Sequence, residues 1–228
     1  MSENYKQGTE TRERILDAAE VLFAAHGFEA TSMRMITGLA NVNLAAVNYH
    51  FGSKDALIQE VFRRRLTGLN QRRMAALEEA EAESGGKALK PSKIVEIFFG
   101  MPLIMAAETD PAGATFMRLL GRTYTEPNEF VRRFLAEEYS EVVDRFMGAL
   151  YRALPDVSKD EILWRFHFMM GAMSYAIAGT DALRLFGGDL NDTDPERMLP
   201  RLMSFLLGGL RAPLCGMRPD GAARRDAA

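Results

Sequence analysis

Residues 42–54 read Val-Asn-Leu-Ala-Ala-Val-Asn-Tyr-His-Phe-Gly-Ser-Lys. Asn43 is a capping residue type, and the residues after it predict a short helix exposing Leu44, Ala46, Asn48, Tyr49 and His50. Small and polar residues on that face keep the helix slim enough for the major groove of B-DNA, roughly 12 Å wide. Asn48, Tyr49 and His50 offer hydrogen-bonding groups to phosphates or base edges. Phe51 is the apolar plug, Gly52 breaks the helix, and Ser53 caps another that starts with Lys54. A lysine at the positive end of a helix is a phosphate grip. The stretch predicts a reading helix followed by a clamp.

Upstream, residues 1–8 are polar and expected to fray. Thr9 or Thr11 is placed to cap a helix whose apolar stripe is Ile15, Ala18, Ala19, Leu22 and Phe23, ended by His26-Gly27. Thr31 or Ser32 would cap a second helix with Met33, Ile36 and Leu39 turned inward, and Gly38 to Val42 makes the turn. The expected unit is a helix-turn-helix over residues 9–55, against the plainer alternative of three packed helices without DNA contact. From Ser53 to about Ala82 a long helix is predicted, with Leu57, Val61, Leu66 and Leu69 on one side. Arg63-Arg64-Arg65 and Arg72-Arg73 read as a solvated or ion-paired face.

The remainder also predicts helices, over about 92–108 (divided or kinked at Pro102), 111–124, 127–154, 158–186 and 195–211, the last containing Pro200. No strand pattern competes. The expected fold is therefore all-α. An N-terminal three-helix helix-turn-helix domain would be followed by a helical effector-binding and dimerisation domain over 56–212 and a disordered tail over 213–228.

Composition narrows the classes. The chain has 228 residues, 47% hydrophobic, and a formal net charge of −3. Residues 1–60 are acidic by sum, so any DNA contact must rest on a few well-placed cations and helix N-termini. The single Cys215 offers no intramolecular disulfide. The apolar run 166–179 is shorter than the ~18–20 residues a membrane span needs. Absence of a basic, apolar leader completes the expectation of a soluble cytoplasmic protein. Catalysis finds no support. His26, His50 and His167 form no Glu-x-x-His or His-Glu-x-x-His motif, and nucleophile-elbow and dinucleotide glycine motifs are missing. Glu81 and Ala88 break the only phosphate-loop-like spacing, around Gly86-Lys87. No enzyme activity, cofactor or metal is expected.

The second domain is rich in Met and Phe. Phe98, Phe99, Met101, Ile104 and Met105 are expected to face Phe116, Met117, Leu120 and Tyr124 as a two-helix wall, with Met169, Met170 and Met173 adding adaptable side chains. Arg118, Arg122, Asn128 and His167 are candidate polar anchors for a ligand. The alternative is an ordinary core. Small residues at Gly171, Ala172, Ser174, Ala176, Ala178 and Gly179, with the apolar face of Leu199, Leu202, Phe205, Leu206 and Leu210, predict a two-fold, four-helix dimer interface. Packing of both faces within one subunit is the alternative.

Ile15-Leu16-Asp17-Ala18-Ala19, Leu22-Phe23, Gly27-Phe28, Thr31-Ser32 and Tyr49-His50-Phe51-Gly52-Ser53-Lys54, in this order, resemble the TetR family of bacterial transcription repressors. Residues 42–51, with Met117 to Arg122 and Glu126-Pro127-Asn128, look like its PsrA-like branch, whose members are associated with fatty-acid sensing. The resemblance implies DNA contacts from Thr31, Ser32, Asn43, Leu44, Ala46, Asn48, Tyr49, His50 and Lys54. Several members carry glycine or lysine where this chain has Asn41 and Leu44. The expected function is a homodimeric repressor released from a palindromic double-stranded operator by a small hydrophobic effector of fatty-acid or acyl type. A helical-bundle enzyme and a structural dimerisation module are the rivals.

Overall fold

Polar caps set the helix starts. Ser32 accepts from the Met35 N–H, Asn43 from Ala46, Ser53 from Ala56, Asn128 from Val131 and Ser158 from Glu161. The computed structural model describes residues 3–102, 104, 111–125, 128–178 and 195–213, and no strand occurs among them. In chain order the helices are α1 (Glu3–Ala30), α2 (Met33–Ala40), α3 (Leu44–Phe51), α4 (Lys54–Glu83), α5 (Pro91–Val95), α6 (Pro111–Thr125), α7 (Glu129–Ala153), α8 (Lys159–Ile177) and α9 (Pro195–Arg211). α5 runs straight into a π turn, Glu96–Gly100. No helix of the described residues is long and apolar enough to cross a membrane.

α1 begins at Glu3, so Thr9 and Thr11 lie inside it rather than capping it, and residues 3–8, expected to fray, are helical. Glu, Lys and Gln are good helix formers. Gly27 breaks α1 at φ +81°, where a glycine costs nothing sterically. The α1 stripe Ile15, Ala18, Ala19 and Phe23 is buried. α2 buries Ile36 and Ala40, while Leu39, expected inside, is 55% exposed. In so short a helix Ala40 takes the inward place that Leu39 was assigned.

Arg14 of α1 fixes the turn between α2 and α3. Its guanidinium donates to the Ala40 carbonyl (3.1 and 2.9 Å) and the Asn41 carbonyl (2.7 Å), satisfying orphan acceptors at the α2 C-terminus. Asn41 is left-handed at φ +51°. On the other side α1 is clasped to α4 through Glu20, which is 2% exposed. Glu20 accepts from Arg64 (2.7 Å) and from Arg65 (3.1 Å through each of two nitrogens). Arg64 also reaches Asp17 (2.7 Å) and Glu13 (3.2 Å). The Arg63–Arg65 run is thus ion-paired, as one of its two expected readings had it.

In the second domain α6 packs against α1 and α8, and α8 against α9. Gly121 of α6 permits the α6–α8 crossing: a Cβ there would sit 2.7 Å from the Ala178 nitrogen and 2.8 Å from the Ser174 carbonyl oxygen. Phe98 makes edge-to-face contacts with Phe146 and Phe166, at 5.0 Å each. Phe116 instead meets Phe62 of α4 at 6.0 Å. The expected wall of Phe98 against Phe116 therefore does not form, because α6 turns its phenylalanine toward α4. Asp110, Asp194 and the ends of the helices predicted over 92–108 and 158–186 lie outside the described residues, as does nearly all of the tail.

Candidate nucleic-acid interface and effector cavity

α3 stands at the surface. Tyr49 is 85% exposed, Leu44, Asn43 and Asn48 are exposed, and Ala46 and His50 are partly covered. Val47 and Phe51 form the buried side, and the Arg12 guanidinium lies 5.5 Å from the Phe51 ring centre. Tyr49 and His50 meet edge to face at 5.2 Å. Gly52, at φ +74°, turns the chain so that α4 starts beside α3 with Ser53 as cap and Lys54 at its first position. The Asn43 cap uses its carbonyl oxygen on the Ala46 N–H, so its amide N–H2 stays available as a donor. The Ser32 hydroxyl likewise accepts from Met35 and keeps its proton to donate. Lys54 makes no ion pair among the described residues.

Thr31 departs from its expected place. It is fully buried, and its hydroxyl donates to the Gly27 carbonyl at 2.7 Å. Its side chain belongs to the α1–α2 joint and not to an outward surface. Ser32 alone is the α2 cap.

The second domain encloses a cavity of about 280 Å³ between α4, the π turn, α6, α7 and α8. Phe98, Leu120, Tyr124, Met170 and Met173 line it, as expected; Arg73, Arg132, Tyr139, Phe166 and Ser174 also do. The other expected pocket residues lie elsewhere. Phe116 and Met117 are buried in the core, Met101 is partly covered outside the cavity, and Arg118 is exposed, donating to Thr115 (3.4 Å). His167 is exposed beside Trp164 (5.9 Å between rings), and Met105 lies outside the described residues. Arg122 donates to the Ala24 and Ala25 carbonyls of α1, each at 3.0 Å. It joins the two domains. A residue next to the cavity in sequence lies one side of the helix away from it, because successive helical positions diverge by about 100°.

Arg73 is the group that sequence reasoning missed. Expected at a solvated or ion-paired face, it is 3% exposed. Nε and Nη2 both donate to the Phe98 carbonyl (3.0 and 2.7 Å), and the guanidinium carbon lies 4.2 Å from the Phe98 ring centre. In α-helical register that carbonyl would accept from residue 102, and Pro102 has no N–H to give. Proline therefore frees the acceptor that the arginine takes. The π turn and Pro102 together were the available signal. Burial pulls Arg73 below the ordinary arginine value, with Tyr139 and Tyr124 opposing.

The small-residue face of α8 also divides differently. Ser174 is 2% exposed and Ala178 partly covered, both against Gly121 within the subunit, and Leu202 and Leu206 are buried there too. These four are internal packing residues. Gly171 is exposed, and Phe205 is 70% exposed. With them on the surface stand Leu163, Trp164, Phe168 and Tyr175, Trp164 and Phe168 stacked at 5.8 Å. α8 is apolar on both sides, which a helix covered on one side only does not need.

Comparison with known proteins places this architecture. Residues 15–61 match the family described as bacterial regulatory proteins, tetR family, and residues 96–209 match the tetracyclin repressor-like C-terminal domain. Over 51 residues the chain is 37% identical to the probable HTH-type transcriptional regulator YttP of Bacillus subtilis (strain 168) and 41% identical to the HTH-type transcriptional regulator UidR of Escherichia coli (strain K12). Those stretches are 22% of this chain, and the chain matches only 25% and 26% of the two relatives' length. Among solved structures, the fatty acid degradation regulator FadR from Bacillus halodurans superposes with a TM-score of 0.63 at 16% identity, covering 89% of this chain and 97% of that one. SCO4454, a TetR-family regulator from Streptomyces coelicolor, gives 0.57 at 21%, covering 89% and 95%. With one of the two matched regions alone spanning half of its residues, the chain belongs to the TetR family of bacterial regulatory proteins.

Proposed function

We propose that this protein is a homodimeric repressor that reads a palindromic operator with α3 and releases it when an apolar effector enters the cavity. The observation that carries the reading is the outward display of Asn48, Tyr49 and His50 on a helix held rigidly from behind by Val47 and Phe51. Asn43, Leu44, Ala46 and Lys54 complete the contact set with Ser32, their donors suited to phosphates at one rim and base edges in the groove. The exposed apolar face of Trp164, Phe168, Gly171, Tyr175 and Phe205 supplies the two-fold interface. Two reading helices then have to lie about 34–36 Å apart to enter successive major grooves.

Two connections would carry the effector's influence. α4 runs from the clamp at Lys54 to Arg73 in the cavity wall, roughly 30 Å along one helix. α6 lines the cavity with Leu120 and Tyr124 and grips α1 through Arg122. A ligand that favours one arrangement of these helices lowers operator affinity, and the operator lowers ligand affinity by the same factor. The PsrA-like resemblance points the effector toward fatty-acid or acyl-type molecules.

Selection of duplexes from a random pool with the full chain, then titration at two salt concentrations, tests the reading. A palindromic consensus, a steep fall in affinity with salt and a loss of about tenfold or more for Tyr49→Ala are expected. Sequence-independent binding without salt dependence, or a Tyr49→Ala variant that binds normally, removes it.

A further inference from the structure

One wall of the cavity gathers polar groups that the fold leaves short of partners. Arg73 has no carboxylate partner among the described residues. Its Nε and Nη2 bonds end on one carbonyl, and Nη1 reaches only Asn70 Oδ1 at 3.4 Å, so guanidinium N–H donors stay unspent out of five. The Tyr139 hydroxyl is buried and has no hydrogen-bond partner among the described residues, although the residue lines the same cavity. Burial raises the Tyr139 phenol well above its ordinary value, with the Arg73 charge opposing the rise. The Arg73 guanidinium and the Tyr139 phenol thus face one cavity as donors, with Tyr124, 41% exposed, at its edge. The neighbouring hydroxyls do not compete: Thr123 donates to the Leu119 carbonyl (2.8 Å) and Ser174 to the Met170 carbonyl (2.6 Å). Arg132, which has a partner of its own, is the other charged residue of the lining, and the rest is largely apolar, with Leu120, Leu135, Phe166, Met170 and Ile177.

We propose that this wall is a carboxylate receptor: the effector is a small apolar acid whose carboxylate sits between the Arg73 guanidinium and the Tyr139 hydroxyl, its tail among Leu120, Phe166 and Met170. The proposal rests on the cavity being the effector site. A carboxylate supplies the missing counter-charge and presents two oxygens in the plane that a guanidinium fork matches. A phosphate would bring a further oxygen and a second charge, and the other arginine of the lining, Arg132, already has a partner of its own. A cavity of about 280 Å³ is near the lower bound of ligand pockets, so the acid is compact and carries no nucleotide handle. Because Arg73 already holds the Phe98 carbonyl, an arriving carboxylate competes for the guanidinium that ties α4 to the π turn. That links head-group recognition to the helix leading to Lys54.

Calorimetric titration of the full chain with octanoate, octanamide and 1-octanol tests it. Octanoate is expected to bind at least about tenfold more tightly than either neutral probe, ~1.4 kcal/mol. Tyr139→Phe removes a hydroxyl without a hydrogen-bond partner among the described residues, so the fold survives while octanoate affinity falls by roughly three- to tenfold and 1-octanol affinity stays the same. Arg73→Lys should erase most of the preference for the acid. Equal binding of all three probes overturns the carboxylate receptor and leaves the cavity reading standing. An octanoate preference untouched by both substitutions overturns it too, since the acid then binds elsewhere. Failure of every probe to bind removes the cavity as effector site along with it.

Discussion

The helix-turn-helix unit and the cavity domain share their helix caps and differ in what lies buried between the helices. In the first, caps act over three residues, as with Ser32, Asn43 and Ser53, and Arg14 closes the α2 C-terminus from the neighbouring helix. In the second, a buried guanidinium leans on a backbone carbonyl and a buried phenol has no hydrogen-bond partner among the described residues. Unsatisfied buried groups are costly, so they persist where something else supplies the missing partner part of the time. Between the helix-turn-helix head and the cavity-bearing body lies the Glu20 clasp, which holds α1 on α4.

The junction should give the largest effect. Glu20→Ala leaves Arg64 and Arg65 without their buried acceptor and is expected to cost about 2–4 kcal/mol, the arginines regaining some water. Urea unfolding measures it, and a change under ~0.5 kcal/mol would mean that the clasp adds nothing to the joint. Within the body, Gly121→Ala forces the α6 and α8 backbones apart and should cost about 1–3 kcal/mol despite the better helix propensity of alanine. A raised melting temperature would contradict the close approach. In the head, Asn43→Ala should lose about 1 kcal/mol through the α3 cap, read by thermal unfolding. If it lost as much as Gly121→Ala, the head would not be the region whose polar groups are satisfied locally.

The smallest effect concerns the far end of α4. The hydrogen bond from Arg145, helped by the charge of Arg145 and Arg152, holds the Glu81 carboxyl below its usual range. A carboxyl lowered in the folded state adds stability above the ordinary carboxylate range and loses it as pH falls through the lowered value. Glu81→Gln should therefore be slightly less stable than wild type near neutrality and indistinguishable from it in acid. A gap that widened in acid would reverse the sign of this linkage.

Much of the head was legible along the chain. Asn43, Phe51, Gly52 and Ser53 act on neighbours within about one helical turn, so their identity and spacing suffice to place α3 and the start of α4. Thr31 was the exception, because adjacent capping types differ only in which one the α1–α2 joint turns inward. In the body, Arg73, Ser174 and Phe205 show why pattern fell short. An arginine in a run of charges reads as surface unless an acceptor 25 residues away is known to be open. Ser174 and Phe205 both lay on faces expected to meet a partner, and only the Gly121 crossing separates the residue facing inward from the one facing out.

The amino-acid order alone determined an all-helical chain, the capped helix displaying Asn48, Tyr49 and His50, and a second domain built of Met- and Phe-rich helices. Those features rest on interactions between residues close in sequence, which periodicity and capping report directly. Tertiary structure decided which apolar side of α8 is core and which is open. It also turned Arg122 toward α1 and brought Arg73, Tyr124 and Tyr139 to one wall of one cavity. Such meetings depend on helix crossings set by the summed packing of several helices, and no single stretch of the chain encodes them.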